Sequence, residues 1–254
     1  MDEDFIRFSD DIVSGDAVQR TSCEKCRRPL RVCWCSYLPD TPVKINGKII
    51  ILQHPDEEKR NLKTGPMLFH GMTSGQCLIF YGKKFPSAKH QGLKEMLEEP
   101  HTYVLYPGPQ SKCITDISHT HPQGESYNLV LIDGTWQQAK SMYFHSPFLH
   151  SLPQVSLPEL GPSLYVIRTQ PSEYCLSTVE SAALAMSIME TDKSIVDKLV
   201  HPLKALCTFQ LKYGAVEHQD KVTLLELGQY RKPVGKRTMK FLRQTAHKSV
   251  LEKL

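Results

Sequence analysis

The 254-residue sequence has no apolar run near the roughly 20 residues that a membrane-spanning helix needs. Its longest such stretches, Ile49-Ile50-Ile51-Leu52 and Leu129-Val130-Leu131-Ile132, are strand-sized. Several signatures of common chemistry are missing as well: there is no Gly-x-Gly-x-x-Gly, no P-loop, no His-Glu-x-x-His and no Gly-x-Ser-x-Gly. Hydride transfer, NTP hydrolysis and serine hydrolysis all lose ground on these absences. The 11 histidines fall in no metal or triad spacing, so each is expected at the surface or in packing. Positive charge is scarce at the start, where Asp2, Glu3 and Asp4 carry the wrong sign for a secretory or mitochondrial presequence. The expected location is therefore the cytosol or the nucleus, where eight cysteines stay reduced.

What is present is ordinary in bulk and uneven in distribution. Net charge is only +4, yet residues 1–19 hold six acids and one arginine. Residues 231–248 hold Arg231, Lys232, Lys236, Arg237, Lys240, Arg243 and Lys248 with no acid among them. Such density suits phosphate contacts, and it equally suits a solvated tail.

Between these ends, apolar runs of strand length alternate with amphipathic stretches. Strands are expected near 48–53, 77–81, 102–106, 127–132 and 164–168, and helices near 61–72, 90–98 and 135–145. The strand runs are continuously apolar, as in strands covered on both faces. The fold class that follows is α/β, a mostly parallel sheet with helices on both faces. Two further helices carry Val179, Ala182, Ala183, Met186 and Met189, then Val196, Leu199, Val200, Leu203, Cys207 and Leu211 at helical spacing. The first of these should open on a capping box formed by Ser177 and Glu180. The organisation expected is an acidic lead-in (1–20), a cysteine unit (21–40), a catalytic domain (41–215) and a basic C-terminal segment (216–254).

Cys23, Cys26, Cys33 and Cys35 place four thiols within thirteen residues, as two tight knuckles. Two knuckles facing one another make a tetrahedral zinc site. Four thiolates close the coordination sphere, so the zinc would be structural. Arg27 and Arg28 lie in this unit and could grip RNA. Cys77 and Cys207 sit in apolar patterns and are expected in the core.

Ligands of open α/β sheets bind where strands end. Three expected strand ends carry unusual residues: Tyr106-Pro107-Gly108-Pro109, Asp133-Gly134-Thr135-Trp136 and Arg168-Thr169-Gln170-Pro171. Asp133 could simply cap the helix that follows. That would not account for Trp136, which suits stacking on a base or an adenine. The helix start at Thr178 offers free amides and a positive dipole end to a carboxylate.

Taken in series, these motifs resemble the DTW-domain family of tRNA-uridine aminocarboxypropyltransferases. The resemblance rests on Cys23-x2-Cys26-x2-Pro29-x3-Cys33-x-Cys35-x3-Pro39, His54-Pro55-x-Glu57, Tyr106-Pro107-Gly108, and Asp133-Gly134-Thr135-Trp136-x-Gln138-Ala139-Lys140. Tyr165-x-x-Arg168-x-x-Pro171-x4-Leu176-Ser177-Thr178-x-Glu180 completes it, so that residues 21–190 are covered. One departure stands at Leu62-Lys63-Thr64, where many bacterial members carry Asn-Thr, so Lys63 is not taken as a site residue.

The resemblance implies a SPOUT-like fold with a C-terminal trefoil knot, which chain-pattern rules alone would disfavour. It also implies S-adenosylmethionine (SAM) as co-substrate and tRNA as partner. The implied product is 3-(3-amino-3-carboxypropyl)uridine in the D-loop, with position 20a favoured over 20, and methylthioadenosine is released. Asp133 would accept or orient the N3 proton, Thr135 would fix the turn, and Trp136 would stack on uracil or shape the pocket. Pro107, Gly108, Asp133, Leu176, Ser177, Thr178 and Glu180 fall to SAM, with Gly108, Leu176, Ser177 and Thr178 acting largely through backbone atoms. Arg168 and Lys140 would meet the SAM carboxylate or tRNA phosphate. Arg231, Lys232, Lys236 and Arg237 join Arg27 and Arg28 as RNA contacts. Two rivals are a SPOUT-like RNA methyltransferase and a non-catalytic RNA-binding zinc protein. No membrane association is expected, and the sequence leaves oligomeric state open.

Overall fold

The structure, a computed structural model, describes residues 21–122, 124–159 and 161–231. The readings for residues 1–20 and for Lys232, Lys236 and Arg237 lie outside the described residues. Among the described residues there are six strands: β1 (Lys48–Gln53), β2 (Cys77–Tyr81), β3 (Thr102–Leu105), β4 (Lys112–Cys113), β5 (Asn128–Asp133) and β6 (Gln154–Ser156). They form one sheet in the order β2-β1-β5-β3-β6-β4, with every pair parallel. All six C-terminal ends therefore share one edge.

The pleat explains why these runs read as continuously apolar. Ile49, Ile51, Leu129 and Leu131 point to one face, and Ile50, Leu52, Val104 and Val130 point to the other, all buried. The first face is covered by α2 (Gly65–Gly71), α4 (Ile114–Thr120), α7 (Thr178–Met189) and α8 (Ser194–Lys212), through Met67, Leu68, Ile114, Met186 and Leu203. The second is covered by α3 (Leu93–Glu98), α5 (Trp136–Phe144) and α6 (Pro147–His150), through Leu93, Leu97, Met142 and Leu149. Two short helices, α1 (Pro55–Glu58) and α9 (Lys221–Glu226), lie outside these layers. Helices on both faces of a parallel sheet are what the sequence pattern called for.

In α7, Ala182, Ala183 and Ala185 are all buried, and their small side chains let α8 and the sheet approach closely. Its start is the expected capping box, with Ser177 and Glu180 bonded reciprocally. The cysteine unit shares the main core, since Trp34 is buried in it and Tyr37 meets His201 and Phe209 of α8 edge-on. Cys77 and Cys207 are buried in the core, as expected.

The expected strand at 164–168 does not form, and two strands that the sequence did not suggest, β4 and β6, do. Tyr165 and Ile167 are indeed buried. The backbone around them bonds to other partners than a ladder: Leu164 N donates to Glu180 Oε1 at 2.7 Å, and Val166 O accepts from His218 N at 2.8 Å. Burial alone cannot distinguish a packed loop from a strand. β6 is three residues long, with only Val155 fully buried, too short and polar to register as an apolar run. Further along, Lys221 N donates to Gln170 O at 2.8 Å, so the segment leading into α9 is tied along the 163–170 loop. No described helix is long and apolar enough to cross a membrane.

Candidate active site

The chain leaves β1 for α2 on one face of the sheet and leaves β5 for α5 on the other. β1 and β5 are neighbours, so their C-terminal ends flank a topological switch point, where open α/β sheets bind ligands. The residues at that point lie in register. Gln53 is paired with Tyr81 on one side and with Asp133 on the other.

Asp133 is buried at 8 % exposure, and both of its oxygens are held. Gln53 Nε2 donates to Oδ2 at 2.6 Å, and Thr178 Oγ1 donates to Oδ1 at 2.6 Å. One bond joins Asp133 to β1, and the other joins it to the start of α7. The ordinary account of Asp133 as a helix cap does not hold. Thr135 is the cap of α5, its hydroxyl accepting from Gln138 N at 3.2 Å while Gln138 Oε1 accepts from Thr135 N at 2.8 Å. With Thr135 closing the turn, the Asp133 carboxylate is available for another task. Each of its oxygens still has a lone pair to offer.

Trp136 opens α5 with 40 % exposure, and its side chain bonds to the Cys175 thiol. Lys140, one turn further on, is exposed. Tyr81, 42 % exposed at the end of β2, adds a second aromatic to the edge. Burial and the negative charges of Glu58 and Asp133 raise the Tyr81 phenol, and Arg27 opposes them. Arg27 is thus close enough to the edge to act on it.

Behind this edge lies Glu57, buried at 4 % exposure. Burial first, and then the charge of Asp133, push its carboxyl above the usual range, while Arg60 and Arg168 pull it back. Burial also pushes the Tyr165 phenol up to about 12, against the pull of Arg168. Arg168 itself is exposed.

Other expected site residues are placed differently. Glu180 is occupied within the protein, accepting from Ser163 Oγ, Leu164 N, Ser177 N and Ser177 Oγ at 2.6–2.9 Å. It fastens the 163–165 loop to the start of α7. Leu176 and Ser177 are half-buried beside it. Pro107 is exposed and Gly108 half-buried at the end of β3. A Cβ at Gly108 would stand 2.6 Å from Gln154 Oε1, so a side chain of the protein already fills the space that glycine leaves.

Arg28 requires a correction. Expected to grip RNA, it is only 9 % exposed, and its guanidinium donates to Val32 O and Asn61 O at 3.1 and 3.3 Å. A guanidinium turned inward onto carbonyls is a brace for the cysteine unit. Gln53 and Tyr81 were not expected at the site, and Glu57 stands in the His54-Pro55-x-Glu57 motif with no role attached to it. The one signal for Gln53 was a polar residue ending an otherwise apolar run.

The four cysteines converge. All four Sγ atoms lie within 4.8 Å of one another, with Cys23 and Cys35 at 3.7 Å and Cys26 and Cys33 at 3.6 Å. Thiolates on a tetrahedral zinc at about 2.3 Å stand roughly 3.8 Å apart, so the donor set fits zinc. The Cys26 backbone N–H lowers the Cys23 thiol to about 6 while burial raises Cys33 and Cys35, so it is the convergence of the four sulfurs that fits a metal. One zinc per chain is expected by metal analysis. A Cys23→Ser/Cys33→Ser variant should lose it and melt at least about 5 °C lower. An unchanged melting temperature with no bound metal would reduce the cluster to plain thiols.

The profile of the DTW domain matches residues 20–211. This chain belongs to the DTW-domain family. Among its relatives is tRNA-uridine aminocarboxypropyltransferase 2 of Drosophila melanogaster, 48 % identical over 90 % of this chain and 90 % of the relative. A second relative, tRNA-uridine aminocarboxypropyltransferase 2 of Mus musculus, is 39 % identical over 88 % of this chain and 75 % of its own length. A third, tRNA-uridine aminocarboxypropyltransferase A of Arabidopsis thaliana, is 26 % identical over 77 % of this chain and 83 % of its own. No solved structure matches. As a DTW-domain protein, the chain has its namesake Asp, Thr and Trp at 133, 135 and 136, together at the switch point.

Proposed function

We propose that this DTW-domain protein is a tRNA-uridine aminocarboxypropyltransferase that uses SAM as donor, forms 3-(3-amino-3-carboxypropyl)uridine in the tRNA D-loop and releases methylthioadenosine. Position 20a is the favoured site. The observation that carries the reading is Asp133, pinned at the switch point between Gln53 and Thr178 with Trp136 three residues on. The names of the relatives support the reaction class.

In this reading the uridine N3 attacks the γ-carbon of the methionine chain. The N3–C bond forms, the C–S bond breaks with its electron pair going to sulfur, and the N3 proton passes to Asp133. A carboxylate is too weak a base to strip N3 beforehand, so Asp133 shares the proton as the new bond forms. Its two short bonds keep the remaining lone pairs aimed at the substrate. Trp136 and Tyr81 offer faces on which the flipped base can stack. Leu176, Ser177 and Thr178 hold the donor through backbone atoms, together with Pro107 and Gly108. The reading includes SPOUT kinship with a trefoil knot in the donor-binding loops, the four-part domain organisation, and a place in the cytosol or nucleus. A crystal structure with bound SAM tests the knot.

The deciding experiment incubates the protein with SAM and unmodified tRNA and analyses nucleosides by mass spectrometry. An aminocarboxypropyl uridine with methylthioadenosine supports the proposal. A methylated uridine would overturn the chemistry, and tRNA binding without product would leave a binding protein.

The RNA face in this reading runs from Arg27 past Trp136 and Lys140 and on to Arg231, all exposed. Arg231 begins the basic stretch 231–248, which this reading assigns to phosphate contacts. Deleting residues 231–248 is expected to weaken tRNA affinity and to flatten its log–log salt dependence by about 0.7–0.9 for each phosphate that the stretch neutralises. An unchanged slope in a filter-binding titration would return the stretch to a solvated tail.

A further inference from the structure

Glu57 takes no part in the chemistry above, yet it is the most deeply buried carboxylate of the site. It stands on the first turn after β1, where His54 N donates to Asp133 O at 2.8 Å and Glu57 N donates to His54 O at 2.9 Å. Two backbone hydrogen bonds thus link it to the residue at the centre of the switch point. Its side chain is 5 % exposed. Its Oε1 lies 3.1 Å from Arg60 Nη1, but the N–H is not aligned with it, and that oxygen accepts no hydrogen bond from the described residues.

A buried carboxylate oxygen without a donor costs about 1–3 kcal/mol, and such groups in a folded protein call for an explanation. Arg60 is a weak one. Its side chain is 38 % exposed and lies beyond the end of α1, and an ion pair with so solvated a partner contributes about 0–1 kcal/mol. The charges that act on Glu57 are Asp133 and Asp56 on the negative side and Arg60 and Arg168 on the positive. A buried acid crowded by a second acid, with an oxygen to spare, is suited to a cation carrying several N–H donors.

Resting on the proposed function, we infer that Glu57 receives the α-ammonium of the donor's amino-acid tail while Arg168 faces its carboxylate, the two forming a clamp for an α-amino-acid zwitterion. A sulfonium offers three carbons to a nucleophile, and alignment decides which one is attacked. Fixing the tail at both of its charges holds the γ-methylene, and not the methyl, towards uridine N3. Glu57 is thereby a specificity-determining residue for aminocarboxypropyl transfer.

Calorimetric titration of full-length wild type and Glu57→Gln with SAM and with methylthioadenosine tests this. Methylthioadenosine has the nucleoside and sulfur but no amino-acid tail. Glu57→Gln should bind SAM about 10- to 100-fold more weakly, the range for a hydrogen bond to a charged group, and methylthioadenosine within about twofold of wild type. Retained methylthioadenosine affinity also shows that the variant is folded. Equal SAM affinity in both proteins would overturn the clamp, and so would parallel loss of both ligands, which marks a structural role. A wild type that binds neither ligand would sink the donor assignment itself, a result distinct from failure of the clamp alone.

Discussion

Asp133→Asn is expected to slow formation of the modified uridine by about 10²- to 10⁴-fold, the range for losing a group that carries a proton in the transition state. The substitution keeps shape and removes charge. Gln53 and Thr178 both donate to the carboxylate, and an amide has a single acceptor oxygen. The Thr178 hydroxyl can rotate and the Gln53 amide can turn over, so either can accept from the new NH₂. The fold should therefore survive, with a melting temperature within a few degrees of wild type and SAM affinity within a few-fold. Single-turnover assays on unmodified tRNA separate the outcomes. Turnover within threefold of wild type would remove Asp133 from the chemistry, whereas a lost SAM affinity would make it a binding residue.

Glu180→Ala should give the largest loss of stability, about 3 kcal/mol, and a fall in melting temperature of roughly 6–12 °C for a chain of this length. Four donors converge on this one carboxylate: Ser163 Oγ, Leu164 N, Ser177 N and Ser177 Oγ. Alanine strands them in a region where Glu180 itself is only 6 % exposed. It also removes half of the capping box of α7 and frees the 163–165 loop, with Arg168 just beyond it. Limited proteolysis should open that loop before the rest of the chain, and the KM for SAM should rise more than kcat falls. Glu180→Gln sets an NH₂ among donors and should shift the melt in the same direction. A melt within 2 °C of wild type for both variants would mean that the loop is held by other contacts, such as the Tyr165 hydroxyl on Leu62 O.

The parts of this protein legible in its sequence are those that neighbouring residues decide. Continuous apolar runs located β1, β2, β3 and β5, because a strand covered on both faces must be apolar at every position. Ser177 and Glu180 revealed the start of α7, because a capping box closes over three residues. The four cysteines declared their convergence, because paired spacings of two and one already hold each pair in a knuckle. The Asp, Thr and Trp of the signature fell at one strand end for the same local reason.

The tertiary structure decided what depends on distant partners. The run at 164–168 has a strand's composition, and it became a loop because Glu180 and the segment at His218 supplied its hydrogen bonds. Arg28 has the composition of an RNA contact, and the carbonyls of Val32 and Asn61 turned it inward. Gln53, Glu57 and Tyr81 join Asp133 only because β1 lies between β2 and β5, an order set by burial of both sheet faces and not by chain proximity. Sequence wrote the elements and the reactive residues. Packing chose their neighbours, since hydrogen bonds and apolar contacts between strands 80 residues apart leave no periodicity in either one.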